Sequence, residues 1–182
     1  MSTMIDQELI KSTIRTIPDY PKSGILFRDI TTLLQNGRAF NAVVEDVVEH
    51  WRNREIEKVV CLEARGFIFG GAIASSLKAG FIPVRKAGKL PHQTIGASYQ
   101  LEYGVDRLEI HSDAIKAGDR VLIIDDLIAT GGTADTAIKL VRELDGNIIG
   151  MSAIIDLPDL GGSTKIRNNG VEIYTLVDFP GH

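Results

Sequence analysis

The chain has 182 residues, 44% of them hydrophobic, which suits one compact domain with a substantial apolar core. Its 20 Lys and Arg residues against 24 Asp and Glu give a formal net charge of −4, whereas a general nucleic-acid binder needs a basic surface. Cys61 is the only cysteine, so an intrachain disulfide is excluded and a reducing compartment is expected.

The sequence also argues against export and membrane insertion. Asp6 and Glu8 lie in an opening segment that lacks the basic stretch and apolar core of a signal peptide. The most apolar stretch, residues 66–84, is interrupted by Ser75 and Lys78, so it does not reach the length of a membrane span. We therefore expect a cytoplasmic protein that does not associate with membranes.

Helical and strand patterns alternate through the middle of the chain. Apolar residues follow helical spacing across residues 39–52, which predicts an amphipathic helix that buries Phe40, Val43, Val44, Val47, Val48 and Trp51. Strand-like runs then recur at residues 58–62, 81–85, 120–125 and 148–155, each beside a helical pattern. This alternation predicts an α/β fold with a central, mainly parallel sheet flanked by helices.

An additional strand pair is predicted between the second and third strands of this sheet. Residues 98–103 and 107–111 have strand character and are joined near Gly104. Insertions at such a position commonly close over a bound ligand, so we expect this pair to belong to a lid.

Residues 125–133 join a buried strand to a helix, at the end of the strand where open α/β sheets bind ligands. The run Thr-Gly-Gly-Thr at residues 130–133 allows a tight turn whose N–H groups point outward at the positive end of the helix dipole. A phosphate group suits this turn. Asp125 and Asp126 precede it and can accept hydrogen bonds from vicinal sugar hydroxyls, so the segment predicts a bound ribose 5-phosphate.

The plainer interpretation of this segment is a polar strand-to-helix turn that binds nothing. Other nucleotide-binding loops fit less well, because the sequence contains neither G-x-x-x-x-G-K-[ST] nor G-x-G-x-x-G. His50, His92, His111 and His182 show no metal-binding spacing, and we assign them no chemistry.

Residues 121–133, VLIIDDLIATGGT, resemble the phosphoribosyl-pyrophosphate motif of the type I phosphoribosyltransferases. Four further segments, LFRDIT, EARGF, VRKAGKLP and LEYG, are similar to the adenine-specific members of that family, and the resemblance covers nearly the whole chain. LFRDI together with DDLIATGGT is specific, whereas EARGF alone is a weak signal. The resemblance implies the type I phosphoribosyltransferase fold: one domain over residues 1–182, with a small hood at about residues 1–35 and a flexible lid at about residues 86–110.

The resemblance also implies the roles of individual residues. The ribose 5-phosphate site would comprise Asp125, Asp126, Ala129, Thr130, Gly131, Gly132 and Thr133. Pyrophosphate would be bound by Arg65, Arg85, Lys86 and Lys89. Adenine would be bound by Leu26, Phe27, Arg28 and Leu127, with the phenylalanine ring stacked on the base and the adjacent backbone reading its edge. The catalytic residues would be Glu102, Arg65 and Lys89.

Taken alone, several of these residues have plainer interpretations. Arg65 would be a solvated or salt-bridging arginine after a strand, and residues 85–89 would be an ordinary basic loop. Glu102 would only contribute to solubility, and Phe27 would be a hydrophobic staple for the helix-like run that follows it. A departing pyrophosphate does, however, require mobile cations, and a carboxylate near the base can handle its proton.

The implied reaction is purine salvage, in which the 5-phosphoribosyl group of phosphoribosyl pyrophosphate is transferred to adenine, giving AMP and pyrophosphate. Mg²⁺ would be carried in by the substrate rather than held in a dedicated protein site. The resemblance further implies a homodimer, with the apolar helix at residues 68–77 and Arg85 at its interface.

Two alternatives remain at this point. A 6-oxopurine or xanthine phosphoribosyltransferase would share the turn at residues 121–133, but it commonly carries a late lysine near the base, and residues 171–182 contain none. A non-catalytic purine-responsive regulator would need an added basic DNA-binding domain, and this acidic chain shows none.

Overall fold

The computed structural model describes residues 6–100 and 104–181. The α-helices are α1 (Gln7–Thr13), α2 (Thr31–Gln35), α3 (Gly37–Trp51), α4 (Gly66–Leu77), α5 (Gly132–Glu143) and α6 (Gly162–Asn168). The strands are β1 (Arg15–Pro18), β2 (Leu26–Asp29), β3 (Lys58–Leu62), β4 (Gly80–Lys86), β5 (Thr94–Gln100), β6 (Val105–His111), β7 (Arg120–Ile128), β8 (Asn147–Asp156) and β9 (Ile173–Asp178). None of the helices in these two segments has the length and apolar character needed to cross a membrane.

Seven strands form one sheet in the order β5-β6-β4-β3-β7-β8-β9. The neighbours from β4 through β9 in this order are parallel, and β6 pairs antiparallel with both β4 and β5. The predicted α/β fold with a central, mainly parallel sheet is therefore confirmed. The four predicted core strands are confirmed as well, although β7 continues to Ile128, and β9 was not predicted.

The central strand β7 is covered on both faces. Leu122 and Ile124 belong to an apolar cluster that includes α3 and α4, whereas Val121 and Ile123 belong to a second cluster that includes α5. Successive side chains of a strand point to opposite faces, so a strand buried on both sides has a continuous apolar sequence. On β7 this apolar run ends at Asp125 and Asp126, which are the acidic residues of the strand.

Residues 6–35 comprise α1, the antiparallel β1–β2 ribbon and α2, the sequence range of the hood expected from the resemblance. The ribbon pairs Phe27 with Ile17 and is separate from the seven-stranded sheet. Arg15 Nη2 lies 2.5 Å from Asp29 Oδ2, and this hydrogen bond lowers the pKa of Asp29 to about 2. The ribbon is thus tied to the residue that precedes α2.

The predicted strand pair between β4 and β7 is present as β5 and β6, and it begins at Thr94, earlier than expected. The pair forms the edge of the main sheet, where β6 pairs with β4 at Arg85 and Lys86. Leu108 and Ile110 of β6 are buried in the apolar core. This part of the expected lid is therefore a core strand, and motion of the remainder stays a prediction.

Candidate functional site

The loops that follow β3 and β7 lie side by side, because these two strands are parallel neighbours in the sheet. Together they line a cavity of about 260 Å³. The lining consists of Glu63, Ala64, Arg65, Asp125, Asp126, Leu127, Ile128, Ala129, Thr130, Gly131, Gly132, Thr133 and Ala134. The cavity thus brings together Arg65, Leu127 and every residue predicted for the ribose 5-phosphate site.

The turn at residues 129–133 leads directly into the first residues of α5. Gly131 precedes the helix with φ of +78°, a left-handed conformation that strongly favours glycine. No side chain among residues 6–100 and 104–181 caps this end of the helix. Helix N-termini carry N–H groups without intrahelical partners and a partial positive charge, so this end of α5 is built for an anion.

A second glycine supports the turn from behind. Gly162, at the start of α6, donates its N–H to Ala129 O at 3.0 Å. A Cβ at Gly162 would lie 2.3 Å from Ala129 O and 2.7 Å from Gly131 N, so only glycine fits against this backbone. Sequence reasoning missed Gly162, although the Gly161-Gly162 pair was a signal of a close backbone approach.

Asp125 and Asp126 stand at the cavity end of β7. Asp126 is buried, Asp125 is half-buried, and the Asp126 N–H donates to Asp125 Oδ1 at 2.8 Å. Burial, and then the charge of the neighbouring Asp126 carboxylate, raise the pKa of Asp125 well above its usual value. Asp126 Oδ2 is buried and accepts no hydrogen bond from any residue that the structure describes. The pair therefore retains acceptor capacity for a polar ligand.

Arg65 connects this acid pair with the β1–β2 ribbon. Its Nε lies 2.8 Å from Asp126 Oδ2, an ion pair in which the N–H is not aligned as a hydrogen bond. Its guanidinium carbon lies 5.3 Å from the centre of the Phe27 ring, within the range of a cation–π contact. Phe27 does not line the cavity, but it contacts Arg65, which does.

Of the four cations predicted for pyrophosphate, Arg65 lines the cavity, whereas Arg85, Lys86 and Lys89 do not. Arg85 Nε donates to Glu63 Oε2 at 2.8 Å, and the Lys86 N–H donates to Glu63 Oε1 at 2.7 Å. The Lys86 ammonium pairs with Asp106 Oδ2 at 2.9 Å, and this contact raises the pKa of Lys86. Lys89 is exposed, and its ammonium has no ion pair with the residues described.

The other residues predicted for the site are Leu26, Arg28 and Glu102. Leu26 is exposed on β2. Arg28 is buried, with its side chain bound to Thr16 and Pro180, so its backbone is the part left for a base. Glu102 lies outside the described residues.

Comparison with known proteins places the chain in a family. A family model described as a phosphoribosyl transferase domain matches residues 29–168. Adenine phosphoribosyltransferase of Bradyrhizobium sp. (strain ORS 278) is 57% identical over 173 residues, which are 95% of this chain and 97% of that protein.

Solved structures agree with this result. The crystal structure of adenine phosphoribosyltransferase from Rhodothermus marinus has a TM-score of 0.90 and 48% identity, covering 95% of this chain and 98% of that one. The Saccharomyces cerevisiae enzyme, solved with D-2,5-dideoxy-2,5-imino-altritol 1,6-bisphosphate and adenine, has a TM-score of 0.89 and 38% identity, with coverages of 94% and 98%.

We expect Gly162→Ala to weaken the binding of ribose 5-phosphate by about tenfold or more, equivalent to about 1.4 kcal/mol. The added methyl group must displace the backbone of the turn at residues 129–133, because it would lie 2.3 Å from Ala129 O. Titration calorimetry measures the change. Gly37→Ala, at the start of α3, is the matched control, because nothing lies within 4 Å of its Cβ position. Wild-type affinity in Gly162→Ala would show that this contact does not hold the turn.

Proposed function

The chain belongs to the adenine phosphoribosyltransferase family, and we propose that the cavity between the loops after β3 and β7 is where it performs the reaction of that family. The reaction transfers the 5-phosphoribosyl group of phosphoribosyl pyrophosphate to adenine and gives AMP and pyrophosphate. The uncapped N-terminus of α5, facing two carboxylates across one cavity, carries this assignment. These are the groups that a phosphate and a sugar diol require.

We call the turn at residues 129–133, before and at the start of α5, the phosphate turn. The ribose 5-phosphate occupies this turn. Its phosphate accepts hydrogen bonds from the backbone of residues 129–133 and from the hydroxyls of Thr130 and Thr133. Its two ring hydroxyls donate to Asp125 and Asp126, the second of which has a buried oxygen without a hydrogen bond. The carboxylates also stabilise the positive charge that develops on the ribosyl ring as pyrophosphate departs.

The departing pyrophosphate is bound by Arg65, Arg85, Lys86 and Lys89. Arg65 is held by Asp126 in this structure. A ribose hydroxyl that takes over Asp126 releases the guanidinium for the pyrophosphate oxygens. Arg85 and Lys86 are organised by Glu63, which lines the cavity, so they stand next to the same position. Cations there stabilise the charge that the leaving group gains.

The base lies on the other side of Arg65, at the ribbon. Phe27 offers its ring for stacking, the backbone of Leu26 and Arg28 reads the edge of the base, and Leu127 contributes apolar contact. As the bond from the anomeric carbon to the pyrophosphate oxygen breaks, N9 of adenine bonds to that carbon. Glu102 accepts the proton that the base loses.

The metal expected in this reaction is Mg²⁺. No cluster of three metal-ligating side chains occurs within residues 6–100 and 104–181, while Asp125 and Asp126 do face the cavity. This set fits Mg²⁺ that arrives with the substrate, because the ion usually keeps several waters and is bound through one or two carboxylates plus phosphates. When bound it supplies charge neutralisation on the pyrophosphate. The compartment we propose is the cytoplasm.

The family also suggests a homodimer, and α4 offers a surface for it. Ile68 on α4 and Phe81 on β4 are large apolar side chains that are 44% and 39% exposed. Phe67 contacts Phe81 edge-on, with ring centres 5.5 Å apart, which extends the apolar surface. Arg85 lies farther along β4. We propose that a second copy of the chain covers this patch.

Base selectivity tests the function directly. With adenine, hypoxanthine, guanine and xanthine as acceptors, we expect adenine to be preferred by roughly a hundredfold in kcat/KM over hypoxanthine, since each mismatched buried group costs about 1 to 3 kcal/mol. Phe27→Ala should raise the KM for adenine by roughly five- to a hundredfold, because stacking contributes about 1 to 3 kcal/mol per base. Phe27→Tyr, which keeps a ring, should remain close to wild type. Equal use of hypoxanthine by the wild-type protein would overturn the adenine assignment.

Lys89→Ala should lower kcat by about tenfold or more with less effect on the KM for adenine, because a cation on the leaving group matters most in the transition state. Steady-state kinetics with varied phosphoribosyl pyrophosphate provide the measurement. Lys116→Ala is the control. Lys116 is another exposed lysine, but it precedes the amino-terminal end of β7, whereas the cavity lies at the carboxyl end of that strand. Unchanged kinetics in Lys89→Ala would remove this residue from the proposed site.

Sedimentation velocity tests the dimer. The wild-type chain should sediment as a dimer at assay concentration, and Ile68→Glu should shift it towards monomer because a charge cannot be buried unpaired in an apolar interface. Leu9→Glu is the control, since Leu9 is 57% exposed on a different helix and should leave the dimer intact. A monomeric wild-type protein would refute the proposal.

A further inference from the structure

The Arg28 side chain is buried and is directed into the protein rather than towards the cavity. Only 7% of the residue is exposed. Its Nη1 donates to Thr16 Oγ1 at 2.6 Å and its Nη2 donates to Pro180 O at 2.9 Å. The guanidinium carbon also lies 4.5 Å from the centre of the Phe179 ring. One residue after Phe27, the ribbon is therefore bound to a segment distant in sequence.

This distant segment, residues 179–181, is itself fixed to the last residue of β8 and to the loop that follows it. The Phe179 N–H donates to Asp156 O at 3.0 Å, and the Gly181 N–H donates to Asp159 Oδ2 at 2.8 Å. The same loop continues to Gly162, which supports the phosphate turn. The ribbon and the phosphate turn are thus both anchored to residues 156–162.

The burial of Arg28 is costly for stability. Its partners are a hydroxyl, a carbonyl and an aromatic ring, none of which carries a full negative charge, and its Nε is buried without a hydrogen bond. Leaving a buried donor unsatisfied costs about 1 to 3 kcal/mol. A leucine would fill an apolar position without this penalty, so the guanidinium is better explained by what it holds in place.

The ribbon needs such an anchor. An isolated pair of strands is marginally stable in water, and within the described parts of the chain β1 and β2 form no hydrogen-bonded ladder with the main sheet. The ion pair between Arg15 and Asp29 fixes one end of β2 to its neighbour strand, within the hood. Arg28 is the residue whose hydrogen bond joins β2 to the segment beyond β9.

We propose that Arg28 and residues 179–181 hold β2 in the position at which its backbone reads the base, so that Arg28 is a positioning residue for base selectivity and its side chain does not contact the substrate. The proposal rests on the assignment of the base site to β2 under the proposed function. It predicts that loosening this anchor affects adenine more than phosphoribosyl pyrophosphate.

Arg28→Lys is the first variant, because it keeps the positive charge and the apolar stem. A single ammonium lacks the planar fork that bonds Thr16 and Pro180 at once. We expect the KM for adenine to rise about tenfold, equivalent to about 1.4 kcal/mol, and the preference for adenine over hypoxanthine to fall by a similar factor. The KM for phosphoribosyl pyrophosphate and kcat at saturating adenine should change by less than about twofold, much less than the tenfold rise expected in the KM for adenine.

Phe179→Leu is the second variant, in case Arg28→Lys folds poorly. It keeps apolar volume and removes only the ring face beneath the guanidinium, so we expect the same pattern at about threefold, within the range of a single cation–π contact. The control is Lys11→Ala, which removes the ion pair at 3.7 Å between Lys11 and Asp178, just before the segment. The control should match the wild type in both KM values and in selectivity.

The outcomes separate this proposal from the assignment on which it rests. Equal rises in both KM values, or a lower kcat with adenine selectivity unchanged, would overturn the positioning role of Arg28. Wild-type behaviour of both variants would overturn it as well, while adenine preference in the wild type would leave the proposed function standing. If the wild-type protein showed no preference for adenine, the assignment of the base site would fall, and this proposal with it.

Discussion

The parallel pairing of β3 with β7 is the constraint on which the site depends. The register sets Cys61 beside Ile124, so the loop that begins at Glu63 emerges next to Asp125. The short distance between Arg65 and Asp126 follows from this register and not from any property of the two loops alone. A shift of one residue in β7 would exchange the faces of the sheet to which Asp125 and Asp126 point, and a shift of one residue in β3 would bring a different residue beside each of them.

The charges of the site are balanced locally rather than by the chain as a whole. The chain carries a formal net charge of −4, yet the turn at residues 129–133 presents the backbone N–H groups and partial positive charge of a helix N-terminus. The two carboxylates beside the turn would repel a phosphate, and the Arg65 guanidinium neutralises the charge of one of them, Asp126. The pKa of Asp125 is raised first by the desolvation of its carboxyl group and then by the negative charge of Asp126 beside it.

The parts of the fold that could be predicted from the sequence were those with local patterns. The spacing of apolar residues located α3 and the core strands, and Thr-Gly-Gly-Thr after two aspartates located the turn that lines the cavity. The contacts that were missed join residues far apart in the sequence. Gly162 supports a turn some thirty positions earlier, and Arg28 binds the carbonyl of Pro180. Contacts between residues so far apart produce no regular spacing in the sequence from which they could be predicted. The role of Glu102 stays a prediction, as do the mobility of the lid and the number of subunits.

The close contact between the phosphate turn and the start of α6 also limits how this protein can diverge. A Cβ on Gly131 would lie 3.0 Å from Gly162 Cα, and a Cβ on Gly162 would lie 2.7 Å from Gly131 N. Substitution at either position therefore meets main chain, which cannot be relieved by trimming a neighbouring side chain. Any redesign of the enzyme for another sugar phosphate has to treat the two positions as fixed, and seek its variation among the residues that surround them.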